Sequence, residues 1–300
     1  MEFGKVEISE LDAVDHSLPK SSAKTEAVLK KAKSKEKSKV YFGCAKWGRK
    51  EWVGLIYPDK TKEKDFLKEY GKHFNSIELN ATFYQLYSSA KTETWAKDVG
   101  DGFLFMPKFN QNITHFRRLK NADDLTSSFL EGIHGFGDKL GPCFLQLPDN
   151  FAPKKFDDLK EYLLALPKDL QVFIELRHPE WFTEMKDQLF DFLSENNFGW
   201  VTTDTSGRRD CVHTELPIPK AFIRFVGNNI HPTDYPRIEA WIAQIKSWMK
   251  AGIKEVYFMM HQHDESNTPI ISEWTVKKLN EECGLDLLVP KLINQQASLL

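Results

Sequence analysis

Short apolar runs recur along the chain, their starts 22–39 residues apart, and helix-like segments separate them. The runs are VYFGCA (40–45), SIELN (76–80), FLFMPK (103–108), PCFLQL (142–147), QVFIELR (171–177), GWVTTD (199–204), AFIRFV (221–226) and EVYFMM (255–260). A strand, its crossover helix and the return to a parallel neighbour need about that spacing. Amphipathic patterns over 63–74, 122–134, 156–166, 180–196 and 235–250 supply the helices. Eight such alternations predict an α/β fold of the TIM-like (β/α)8 barrel kind. The stretch after the sixth run, TSGRRDCVHTELPIPK, has two prolines and no helical period, so the sixth helix is expected to be reduced or missing. An open doubly wound sheet is the alternative, but its GxGxxG phosphate turn is absent.

Side chains alternate across a strand, so parity separates the barrel interior from the face that meets the helices. In QVFIELR the apolar set Val172, Ile174 and Leu176 suits the helices, which turns Phe173, Glu175 and Arg177 inward. The same reasoning turns in Glu78 and Asn80, Lys108, Gln146, Arg224 and His261, and places Asp204 with Trp200 and Thr202 on the inner set. Barrel interiors are normally filled with bulky apolar side chains, and active sites form at the C-terminal ends of the strands. Inward charges are costly unless paired. Three acids (Glu78, Glu175, Asp204) against three bases (Lys108, Arg177, Arg224) leave two readings, a structural ion-pair ladder or a functional pocket. Charges gathered from several strands exceed what stability favours, so the pocket is the preferred reading.

Composition narrows the class. With 22 Phe, 8 Trp and 8 Tyr in 300 residues, the chain has enough apolar surface to exclude disorder throughout. A formal charge of −2 argues against a globally basic nucleic-acid or membrane binder. Four dispersed cysteines (44, 143, 211, 283) form no CxxC pair and suit a reducing compartment. No leader pattern is visible, and no apolar run approaches the roughly 18 residues of a membrane span. A cytoplasmic protein without membrane contact is therefore expected. Between Lys20 and Lys39 lie eight Lys and two Glu with almost nothing large and apolar. Residues 1–39 are expected to be a solvated, charged extension, 40–292 the barrel and 293–300 a tail.

The segments GCAKWGRKEWVGLIYP (43–58), FNSIELNATFYQL (74–86), KFNQNITH (108–115), KLGPCFLQLP (139–148), ELRHPEW (175–181), FIRFVGN (222–228) and VYFMMHQHDE (256–265) together resemble the domain of unknown function 72 family, the YecE-like proteins. The resemblance spans nearly all of 40–292, in order. It implies a TIM-like barrel and a biochemical role not established for the family, which has been compared with endonuclease-type and sugar-isomerase-type barrels. Two features depart from the family pattern: the eighth strand ends in His261-Gln262-His263-Asp264 rather than an Asn-rich segment, and the lysine-rich extension looks like an addition.

Several chemistries compete at the expected mouth. His115, Glu175, His178, Asp204, His261, His263 and Asp264 are metal-ligating types, but Lys108, Arg177 and Arg224 share the space and no HExxH helix exists, so no metal is expected. No cofactor is expected either. Glu175 is the candidate base or orienter and Glu78 its partner, since Arg177 beside Glu175 would hold that carboxylate ionised. His115 and His178 are candidate proton-transfer groups. Lys108, Arg177 and Arg224 form the expected anion clamp, with Asn80, Tyr84, Gln146, Asp204 and His261 as further ligand contacts. Trp47, Trp52, Tyr57, Phe83, Tyr87 and Trp181 join Tyr84 near the mouth, as stacking surface or as packing. No GxSxG exists, and Cys44 is expected to pack. The expected function is an enzyme, of hydrolase or isomerase type, acting on a small anionic substrate such as a phosphorylated sugar, or on a nucleic-acid phosphodiester. The alternative is a non-catalytic nucleotide or nucleic-acid binding protein.

Overall fold

In a computed structural model that describes residues 3–293, each apolar run forms a strand. These are β1 (Lys39–Cys44), β2 (Ser76–Leu79), β3 (Leu104–Pro107), β4 (Cys143–Gln146), β5 (Val172–Glu175), β6 (Gly199–Asp204), β7 (Lys220–Gly227) and β8 (Glu255–Gln262). All pairings are parallel, in the order β3-β2-β1-β8-β7-β6-β5-β4. The β3–β4 seam closes through the bridges Phe105–Leu140 and Lys108–Phe144 and the bond from Phe109 N to Phe144 O at 3.0 Å. The result is the expected TIM-like barrel. Its helices are α1 (Ala23–Ala32), α2 (Phe66–Tyr70), α3 (Ala81–Tyr84), α4 (Ser89–Lys97), α5 (Asp123–His134), α6 (Phe156–Ala165), α7 (Lys186–Glu195), α8 (Asp234–Ala251) and α9 (Thr268–Cys283). None is long and apolar enough to cross a membrane.

Parity sorts the core into two layers, as the strand pattern requires. Met106, Phe144, Phe173, Val201, Phe222, Tyr257 and Met259 fill the lumen. Ile77, Phe105, Leu145, Ile174, Ile223 and Phe258 pack outward under the helices. Gly199 belongs to the lumen set, where a Cβ would come within 2.2 Å of the Phe173 ring.

No α-helix joins β6 to β7; the connection holds only the short turn Arg209–Cys211. The N-terminal segment takes the vacated place. Helix α1 is capped by Ser22, lies against α8, and pairs Lys24 with Asp187 and Asp191 of α7. Its inner stripe is Thr25 and Leu29, one turn apart, with Leu29 only 2 % exposed. Thr25 Oγ1 donates to Glu215 in the β6–β7 connection at 2.9 Å and accepts from Leu216 N. Leu11, at 1 % exposed, is buried as well. The expectation of a solvated extension is thus corrected: the lysines face outward, and one narrow stripe docks where a helix is missing. Residues 294–300 of the expected tail lie outside the described residues; Ile293 N bonds to Leu55 O.

Candidate functional site

The C-terminal ends of the strands build a layered mouth. At its floor Arg224 of β7 donates through Nε and Nη2 to both oxygens of Glu78 (2.8 Å each) and through Nη1 to Glu175 Oε2 at 2.7 Å. Glu175 Oε1 takes Arg177 Nε at 2.8 Å, so one carboxylate bridges two guanidiniums. Glu78 also accepts from Asn80 Nδ2 at 2.8 Å and meets His261 Nε2 at 2.9 Å. The other ring nitrogen of His261 faces Glu265 at 3.5 Å.

These contacts set the charge states. Burial alone would raise Glu175, but Arg224 and then Arg177 outweigh it and hold the carboxyl down to about 2. Glu78, fully buried, is likewise driven well below the usual carboxylate range by Arg224 and His261. Burial lowers His261, yet Glu78 and Glu265 raise it overall and favour the imidazolium. Both glutamates are therefore ionised groups that orient Arg224, and neither lines the cavity above.

That cavity encloses about 650 Å³. Its wall includes Asn80, Tyr84, Lys108, His115, Gln146 and Arg177, with Arg224 and His261 at its base. Lys108 Nζ donates to the neutral Gln146 Oε1 at 2.5 Å and lies 4.2 Å from the centre of the Phe83 ring. Among the described residues it makes no ion pair. Burial, followed by the charge of Arg224, pushes it down to about 7. His115, in the helical turn Asn112–Phe116, bonds through Nδ1 to Thr114 Oγ1 at 2.8 Å; burial, then Lys108 and Arg177, lowers it to about 4.

Eight of the twelve expected site residues thus line one cavity, and Glu78 and Glu175 lie beneath it. Two are elsewhere. Asp204 points out of the lumen, and its carboxylate takes Arg237 Nη2 at 2.7 Å and Trp241 Nε1 at 2.6 Å under α8. It is corrected from the ligand contacts because Gly199, Val201 and Thr203 form the inner set of β6. His178 caps the turn Pro179–Phe182, accepting Trp181 N on its carbonyl, and does not line the cavity. The clamp is also corrected: Arg224 is 1 % exposed with its fork spent on two carboxylates, so it offers no open face. Of the aromatic residues, Phe83 and Tyr84 line the cavity, while Trp52, Tyr57 and Trp181 are core and Trp47 packs on Trp95.

The sequence reading passed over Phe3, Lys46, Arg49, Gln111 and Glu265, all on the wall. Lys46 and Arg49 follow β1, where barrel loops build active sites, so the position rule alone could have found them. Phe3 had no such signal: its ring stacks on the Arg177 guanidinium, 3.7 Å away, from the far end of the chain. Among the described residues no group of three or more His, Cys, Asp or Glu is arranged to hold a metal.

A family model described as "Protein of unknown function DUF72" matches residues 41–294. The UPF0759 protein YecE of Escherichia coli (strain K12) is 26 % identical over 283 residues, covering 87 % of this chain and 99 % of that protein. The UPF0759 protein YunF of Bacillus subtilis (strain 168) is 27 % identical over 172 residues, covering 54 % and 58 %. Crystal structures of DUF72 family proteins superpose on the barrel. One from Enterococcus faecalis V583 has a TM-score of 0.64 at 18 % identity, covering 83 % of this chain and 99 % of that one. Another, from Thermotoga maritima MSB8, has a TM-score of 0.63 at 21 % identity, covering 81 % and 99 %.

Proposed function

The chain belongs to the DUF72 family, and from that premise we propose that the mouth cavity is the active site of an enzyme acting on a small anionic substrate the size of a sugar phosphate. One observation carries this reading: Lys108 is a buried cation on the cavity wall whose hydrogen-bond partner is a neutral amide and which, among the described residues, has no carboxylate in contact. Buried charge without a counter-charge is costly, and an anion in the cavity would offset that cost. The floor adds to the argument. Glu78, Glu175 and Glu265 face Arg224, Arg177, His261 and Lys108, an excess of one positive charge when all are protonated. Arg177, its Nε and Nη2 on Glu175 and its Nη1 3.9 Å from Asp149, adds positive charge to the wall. Glu78 and Glu175 orient the guanidiniums, and His115, held neutral, is the proton acceptor within reach of the wall.

The test is calorimetry at low salt with inorganic phosphate, glucose 6-phosphate, pyruvate and glucose. The anions should bind and glucose should not, and Lys108→Met should weaken anion binding by about tenfold or more, as expected for a lost charge-assisted contact. Anion binding that Lys108→Met leaves untouched would refute the reading. A second reading rests on Tyr84, 70 % exposed at the rim. A base could stack there, and the ligand would then be a nucleotide or oligonucleotide bound without turnover. Adenosine 5′-monophosphate binding at least tenfold tighter than glucose 6-phosphate, with the preference abolished by Tyr84→Ala, would favour it.

A further inference from the structure

Lys108 alone among the described lysines is buried, at 7 % exposure. Its side chain leaves the β3–β4 seam of the barrel and ends at the cavity wall, against the Phe83 ring and within 5.7 Å of the Phe144 ring centre. The amide of Gln146 is oriented by its own bond from Nε2 to Leu147 O, which leaves Oε1 as the acceptor for Lys108. The charged groups that act on the amine come from four elements. Arg224 of β7 and Arg177 after β5 oppose its charge, while Glu175 of β5 and Glu78 of β2 favour it, and both carboxylates are already engaged by Arg224. His115 lies close by, its ring edge-on to Phe83, and is held neutral. Apolar walls and a neighbouring cation are the conditions that keep a lysine amine unprotonated and nucleophilic.

We propose that Lys108 is the nucleophile of this site and condenses with the carbonyl carbon of an anionic oxo compound, an oxo acid or a ketose phosphate, to form an imine. This deepens the reading of the cavity as an anion site and rests on it. The lone pair of Nζ adds to the carbonyl carbon and the C=O bond opens to a carbinolamine. The two protons lost by nitrogen leave with the carbonyl oxygen as water while the C=N bond forms. Hydrolysis reverses the sequence, and no oxidant or reductant enters. The positive charge of Arg177 attracts the substrate's carboxylate or phosphate, and one proton taken up from solvent by the imine nitrogen restores a positive charge where the ammonium stood. With Lys108 near 7, about half of it is neutral at pH 7, against roughly one in 2,500 for an ordinary lysine.

The experiment incubates the full chain at pH 7 with pyruvate or, separately, with dihydroxyacetone phosphate, reduces with borohydride and maps the adduct by peptide mass spectrometry. The expected result is one dominant adduct on the peptide that carries Lys108, absent from Lys108→Met. Labelling by pyruvate assigns the oxo-acid class; labelling by dihydroxyacetone phosphate assigns the ketose-phosphate class. Gln146→Glu places a carboxylate on the ammonium, so its labelling at pH 7 should fall at least tenfold and recover as pH rises, a response that mere packing would not give. Labelling spread over surface lysines with none at Lys108 overturns the proposal. Calorimetry with the same two compounds separates the failures. Binding without an adduct refutes the imine and leaves the anion cavity standing, whereas neither binding nor adduct refutes both.

Discussion

The barrel holds two buried ion networks of similar make-up. At the mouth, Glu78, Glu175 and Arg224 are joined by Arg177 and His261. In the wall, Asp204 and Asp234 share Arg237, with Arg209 and Trp241 on Asp204 and the Asn228 backbone on Asp234. In the wall network Asp204, Asp234 and Arg237 are fully buried and only Arg209 reaches solvent. Helix α8 covers it, and Arg209 donates to the carbonyls of His16 and Ser17 in the N-terminal segment. The mouth network has one open side, and a cation stands there that, among the described residues, has no carboxylate in contact. Numbers of acids and bases do not tell structure from function in this fold. What separates the two is whether the last charge faces protein or a cavity.

The largest way to break the comparison is to take the cover off the wall. Deleting residues 1–33 removes the burial of Leu11 and Leu29, roughly 1.5–3 kcal/mol each, and strips Glu215 and Arg209 of partners. A total loss of about 6 kcal/mol should lower Tm by more than about 10 °C, at roughly 2–4 °C per kcal/mol for a chain of this size. A scan that finds the truncated protein melting within 2 °C of the full chain would show that the segment is only an ornament.

Next in size is a matched pair, Arg224→Met and Arg237→Met. Each removes the central cation and leaves buried carboxylates uncompensated, so each should cost roughly 3–5 kcal/mol in urea unfolding. Only the mouth variant should also lose phosphate binding, by about tenfold or more, because the floor loses its excess positive charge under the ligand. Equal loss of binding in the two would erase the distinction between the networks.

Much of this was legible in the sequence. In β2, β5 and β7 a charged residue marks one of the two parity sets, and parity brought Lys108, Gln146, Glu175, Arg224 and His261 to the mouth, where the structure has them. Parity failed in β6, where Trp200 looked like lumen filling. Phe173 and Phe222 already occupy that space, so only Gly199 and Val201 fit there. Trp200 instead turns outward and packs on Phe182 and His213 beside the missing helix. The docking of helix α1 was hidden because its stripe contains one large apolar residue in a run of lysines. The spending of Arg224 on two glutamates was hidden too, since residue numbers 146 and 49 apart say nothing about which partners a fork will meet.

The smallest expected effect sharpens the comparison through pH. Lys108 is lowered from the ordinary 10.5 to about 7. Below about 7 it is charged in both folded and unfolded chains, and the cost of burying that charge is fully present. Between about 7 and 10.5 the unfolded chain holds a proton that the folded chain does not, so stability from this group rises with pH. Lys108→Met removes the misfit. Once the lost bond to Gln146 is set against the gain, the variant should be more stable than the parent by on the order of 2 kcal/mol near pH 6, and the advantage should fade toward pH 10. The wall has no such lysine; its misfit is an acid, Asp234, which burial raises above 3.8 despite Arg237, so stability from that group is lost as pH rises through its folded value. Asp204 is lowered from 3.8, so its contribution is present above that value and is lost only as acid drives the pH through the folded value. Urea unfolding of parent and variant across this range decides the matter: a gap that stays constant from pH 6 to pH 10 would mean that Lys108 carries its full charge throughout, and the mouth would then be as settled as the wall.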